Sequence, residues 1–183
     1  MVAPGKFAHV AFSTYRFSEM IEWYMLAFDA RVQHRDSRLA FLAYDGEHHR
    51  FAFVNLGNVR NERRPARADG VHHLGYTWRN LEGLIDTYMW LKSLGIVPTR
   101  AIRHGMSLSL DYRDPDGNAL EFQVDLMTVA DGNAFVKGPA FATNPIGEPF
   151  DPEAVAVRLA QGKPIDDLIF RSDQVERRAV ART

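Results

Sequence analysis

The chain has 183 residues and a net charge of −1, with 46% hydrophobic and 25% charged residues, the composition of an ordinary globular protein. No run of about 18 apolar residues occurs, so a membrane span is excluded, and the near-zero charge argues against a nucleic-acid partner held by a broad basic face. The absence of cysteine rules out disulfides, a thiolate nucleophile and sulfur-ligated zinc.

The amino-terminal stretch shows no signal-peptide core, and a cytoplasmic protein is expected. Around His9 the residues Val10, Ala11, Phe12 and Ser13 alternate large apolar with small or polar, the pattern of a strand with two unlike faces. A helix follows on Ile21, Tyr24 and Phe28, with Ser18 as its expected N-cap. Three strands are predicted at 31–35, 39–44 and 50–55, then a linker over 57–69. The same order then recurs 64 residues on, counting from His9 to His73. A strand runs through Leu74, Gly75 and Tyr76, and a helix through Leu81, Leu84, Ile85, Tyr88 and Leu91. Asn80 is its cap and Gly95 its stop. Strands at 97–103, 107–113 and 119–125 complete the second module, the last two joined by the hairpin turn 114–118. The chain therefore reads as an α+β protein of two βαβββ modules, about 6–56 and 70–126, within one domain, 1–130. The remainder, 131–183, reads as a loop to Pro149, a short helix after Asp151, a helical turn at 165–170 and an arginine-rich end expected to fray.

Alternation selects among the histidines. His9 shares a face with Ala11 and Ser13, and His73 with Gly75 and Thr77, while the bulkier faces receive the helices. On the last strand Leu120, Phe122 and Val124 pack inward and Glu121 points the other way. Matching Val54 to Val124 sets Phe51 at the place of Glu121, with His49 on the face of Phe51 and Phe53. Two imidazoles and a carboxylate are the donor set that binds Fe(II) on one side and leaves positions open. A free imidazole beside them can move protons near neutral pH.

On these residues the sequence resembles the vicinal oxygen chelate superfamily, and within it the one-domain type I extradiol ring-cleavage dioxygenases. The motifs run from His9 to Phe12, from Glu47 through His48 and His49 to Phe53, from His73 to Tyr76, and from Asp114 to Glu121. The resemblance implies a cupped, barrel-like mixed sheet with a helical carboxy-terminal tail. It implies His9, His73 and Glu121 as ligands of Fe(II), with Mn(II) compatible, and His49 as the acid–base group. Phe41, Ala11, His48 and His104 would lie on the substrate side. The implied reaction is the opening of a small aromatic diol by O₂, in an enzyme expected to be a homo-oligomer.

At one position the chain leaves this pattern. Relatives of this kind carry a tyrosine on the strand before the turn. Counting back from Pro115, that place is Asp111, with Tyr112 next to it on the opposite face. Either Tyr112 enters the site through a bulge or Asp111 does different work. Two other readings stand beside the dioxygenase: a metal-dependent glyoxalase- or epimerase-type isomerase, and a non-catalytic ligand-binding module of the same fold.

Overall fold

The computed structural model describes residues 2–57, 70–171 and 174. Apart from Gly57, the expected linker lies outside the described residues, as does the arginine-rich end 176–183. The chain forms two compact units, Met1–Gly70 with Asp114–Asn118, and Val71–Arg113 with Ala119–Thr183.

The first unit contains β1 (Val10–Thr14), α1 (Phe17–Phe28), β2 (Arg31–Arg35), β3 (Leu39–Ala43) and β4 (Phe51–Asn55). Its sheet has the order β1-β4-β3-β2, with β1 parallel to β4 and the other pairs antiparallel. One stripe of α1 supplies the core: Met20, Ile21 and Tyr24 are fully buried, with Phe17, Trp23 and Ala27 beside them. The Tyr24 ring meets Phe51 and Phe53 edge-on, at centroid separations of 4.6 and 5.0 Å. Its hydroxyl donates to Asp114 Oδ2 at 3.1 Å. Asn118 donates to the same carboxylate through its backbone N (2.8 Å) and Nδ2 (2.7 Å), closing the turn. Burial nevertheless pushes the Asp114 carboxyl above its ordinary range.

The second unit repeats the plan with β5 (Leu74–Thr77), α2 (Leu81–Ser93), β6 (Arg100–Arg103), β7 (Ser107–Arg113) and β8 (Ala119–Asp125). The order is again first, last, third, second: β5-β8-β7-β6, with the short β9 (Glu148–Pro149) added beyond β6. Leu84 and Leu91 of α2 and Leu120 and Phe122 of β8 are fully buried, so the apolar faces read from the sequence are the core faces.

The two helix starts differ. Asn80 caps α2 by accepting from Gly83 N at 2.9 Å. Ser18 does not cap α1, which begins two residues earlier than that cap would place it, at Phe17 behind Arg16. Thr14 Oγ1 accepts from Arg16 N at 2.8 Å, and Ser18 Oγ accepts from Arg35 Nη2 at 2.8 Å. Asn80→Ala is therefore expected to cost about 1 kcal/mol in a urea melt, and Ser18→Ala only about 0.5 kcal/mol or less.

Past Asp125 the structure departs from the expected loop. It forms α3 (Val129–Val136), capped by Thr128, then α4 (Pro139–Thr143) and β9. Gly132 and Asn133 interrupt the periodicity of α3, and two residues of strand carry no alternation to read. The two later helices fall where expected, α5 (Pro152–Ala160) capped by Asp151 and α6 (Asp166–Ile169). Tyr88 of α2 donates to Glu153 of α5 at 2.7 Å, and Lys92 pairs with the same carboxylate.

Arg103 ties this region to β6. Its Nη1 donates to the carbonyls of Asp167 (3.0 Å) and Phe170 (2.8 Å), and its Nη2 pairs with Glu148 at 2.9 Å. Gly147 lies against it at φ +99°, where a Cβ would stand 2.3 Å from the Arg103 carbonyl oxygen. No helix among the described residues is long and apolar enough to cross a membrane.

Candidate active site

In the first unit, His9 stands immediately before β1, on the exposed face that continues through Ala11 and Ser13. The strand register extends that face: Ala11 is opposite Ala52, and Ala52 opposite Phe41. His49 joins it from the loop before β4. Its ring stacks on Phe41 with centroids 4.4 Å apart and planes 17° from parallel, and lies 4.4 Å from the His9 ring. His48 approaches its neighbour through the two Nδ1 atoms, at 2.6 Å. Partial burial draws His49 below the ordinary imidazole range, and the adjacent His9 and His48 push the same way. A neutral imidazole with a free lone pair is the form that can take a proton.

The internal match needs a correction here. Ala11 pairs with Ala52 as Gly75 pairs with Glu121, so the residue equivalent to Glu121 is Ala52. Phe51 is fully buried against Tyr24, on the opposite face. A slip of one residue exchanges the faces of a strand, and His49 is not on the face of Phe51 and Phe53 because it precedes β4. The first module thus has no carboxylate at the place of Glu121.

In the second unit, His73 stands just before β5 and its Nε2 is 3.3 Å from Glu121 Oε2. The other carboxylate oxygen faces His104 Nε2 at 3.4 Å, and that nitrogen also lies 2.9 Å from Ser109 Oγ. The hydrogen bond from His104 holds Glu121 below the usual carboxylate range. His73 and Ser109 add to it, and burial opposes it. Glu121 is therefore an anion at neutral pH, as a metal ligand must be.

Asp111 is directly opposite Glu121 across β7 and β8 and so shares its face. Tyr112 does not reach that face. The register from Ser107 to Arg113 runs without a bulge, and the Tyr112 ring packs on Phe122 at 4.9 Å with 1% of the residue exposed. Its buried hydroxyl has no hydrogen-bond partner among the described residues. An unpaired buried hydroxyl is costly, so Tyr112→Phe is expected to raise stability by up to about 1 kcal/mol and leave turnover unchanged, as measured by thermal melts and steady-state assays.

His73 and Glu121 are in contact and His9 lies on the other unit. Among the described residues, no group of three His, Asp or Glu side chains is arranged to hold a metal ion. Two polar neighbours escaped the sequence reading, Ser109 and Arg100. Both could have been found by extending the alternation of β7 back from Asp111 and folding β6 onto it about Gly105.

Two sheets of one strand order, each headed by an exposed histidine, define an α+β protein of paired βαβββ modules. The chain belongs to the Glyoxalase/Bleomycin resistance protein/Dioxygenase superfamily, whose family model matches residues 6–122. It is 42% identical over 91% of its length to a protein of Rhodococcus globerulus named biphenyl-2,3-diol 1,2-dioxygenase 2, covering 87% of that relative. A second protein of that organism, biphenyl-2,3-diol 1,2-dioxygenase 3, is 36% identical over 94% of this chain and 91% of its own. A glyoxylase/bleomycin resistance protein/dioxygenase domain from Frankia shares the fold, with a TM-score of 0.57 at 17% identity, over 67% of this chain and 99% of that one.

Proposed function

We propose that this protein is an extradiol dioxygenase that opens an aromatic diol with O₂, both oxygen atoms entering the product. The observation that carries the reading is the 42% identity, over nearly the whole chain, to a relative named as a diol dioxygenase. His9, His73 and Glu121 are the proposed ligands of a single Fe(II), and Mn(II) suits the same donors. The fit is chemical: His73 offers Nε2 beside an ionised Glu121 oxygen, a nitrogen and an oxygen donor of the kinds these ions take. When bound, the metal would supply Lewis acidity and a template for the diol and O₂.

The chain's own residues do the rest. His104 orients Glu121 and keeps it charged. His49 accepts a proton from a diol hydroxyl at its free ring nitrogen and later returns it. Phe41 holds the His49 ring flat and offers an apolar wall, and Ala11 leaves space beside His9. The module's location is proposed to be cytoplasmic and its assembly homo-oligomeric.

The test is to load the protein with Fe(II) under argon, add a panel of catechols and admit O₂. A yellow product carrying two added oxygens, seen by absorbance and mass spectrometry, is expected. Iron-replete protein that consumes no O₂ with any diol overturns the proposal.

A further inference from the structure

The face that carries Glu121 extends outward in a charged row. Glu121 is opposite Asp111, and Asp111 is opposite Arg100, so a cation and two carboxylates follow one another across β6, β7 and β8. Like charges directly opposed across strands repel. Arg100 relieves this: its Nε and Nη2 both donate to Asp111 Oδ2, at 2.8 and 2.7 Å. The guanidinium offsets the charge of Asp111, which lets its side chain stand directly opposite Glu121. Both guanidinium bonds fall on the same oxygen, so Oδ1 remains an acceptor with no partner among the described residues. A carboxylate paired to a guanidinium can accept a hydrogen bond and has none to give.

Resting on the dioxygenase reading, we propose that the Arg100–Asp111 pair sets substrate specificity, Asp111 Oδ1 accepting a hydrogen bond from a donor substituent on the diol ring. The substrate class is an aromatic diol bearing a further hydroxyl or amino group. The Asp111 side chain is 21% exposed, so a ring seated on this face takes water away from Oδ1, and an analogue lacking the donor leaves that acceptor unpaired.

The test uses two isosteric pairs, pyrogallol with 3-methylcatechol and 1,2,4-trihydroxybenzene with 4-methylcatechol. Each is measured on the Fe(II)-loaded protein as kcat/KM and as an anaerobic Kd by calorimetry. In at least one pair the hydroxyl compound is expected to win by roughly 10- to 100-fold. Asp111→Leu should bring that ratio to within about threefold of unity. Arg100→Met removes the cation and keeps the acceptor, so the preference should persist while both members bind more weakly. If Asp111→Leu fails to fold, the Arg100→Met ratio decides alone. No hydroxyl preference in either pair overturns the proposal, as does a preference that survives Asp111→Leu or vanishes in Arg100→Met. A wild-type preference for 2,3-dihydroxybenzoate over both trihydroxy compounds also overturns it, since Arg100 would then be the contact. Cleavage of no diol overturns the dioxygenase reading instead, and the calorimetric ratios still judge the pair.

Discussion

Glu121→Ala is expected to bind Fe(II) more than 100-fold more weakly than the unmodified chain, and to lose turnover with it. Residues that merely orient a metal ligand cost about 10- to 100-fold in affinity when removed, so loss of a ligand exceeds that. The carboxylate is also the group that His73 and His104 both face, at 3.3 and 3.4 Å, so its loss leaves two imidazoles without their common partner. His9→Ala and His73→Ala should behave alike, each removing one imidazole donor. Metal analysis after gel filtration reads the outcome directly, and circular dichroism checks that the variants are folded. Wild-type iron content in all three would sink the ligand assignment whatever their activity.

His49→Phe separates the proton-transfer role from metal binding. Phenylalanine keeps a flat ring against Phe41, where His49 now stacks at 4.4 Å, and removes only the nitrogens. Iron content and anaerobic diol binding should be unchanged, while kcat falls about 10²- to 10⁴-fold, or about 3–5 kcal/mol in the barrier. Full turnover by an iron-replete His49→Phe protein would move the base elsewhere.

Much of the fold was legible because alternation and helical period are local signals. The boundaries of β2, β7 and β8 match the reading, and so do the Asn80 cap and the turn at Asp114. The core faces of β8 and α2 followed from the same periodicities. Ser18 failed as a cap because the helix starts before it, at Phe17, leaving Ser18 in the first turn with its hydroxyl accepting from Arg35. The repeat was legible, but its fine register was not. Val54 and Val124 look alike in sequence, yet only the hydrogen-bonded pairing of Ala11 with Ala52 fixes which face each residue takes.

The candidate site divides in the same way. Residue types and motif spacing pointed to His9, His73 and Glu121. The choice between Asp111 and Tyr112 needed the register of β7 on β8, and the role of Arg100 needed that of β6 on β7. The helices α3 and α4 escaped because neither carries an apolar stripe to read: no residue of either is fully buried.

The anchoring of Arg103 bears on how this protein can be shortened. The strand that presents Arg100 leads through Arg103 to His104, and its guanidinium is held by backbone carbonyls of 167–170 and by Glu148. Gly105, two residues on, accepts from Gln174 Nε2 at 3.0 Å. A chain cut after β8 would keep every proposed metal ligand and the acid–base histidine. It would also leave the Arg103 guanidinium without its acceptors and β6 without its outer neighbour β9. On the proposed assignments such a truncated form should lose discrimination among diols before it loses iron, and the segment beyond Asp125 is in structural terms a brace on β6.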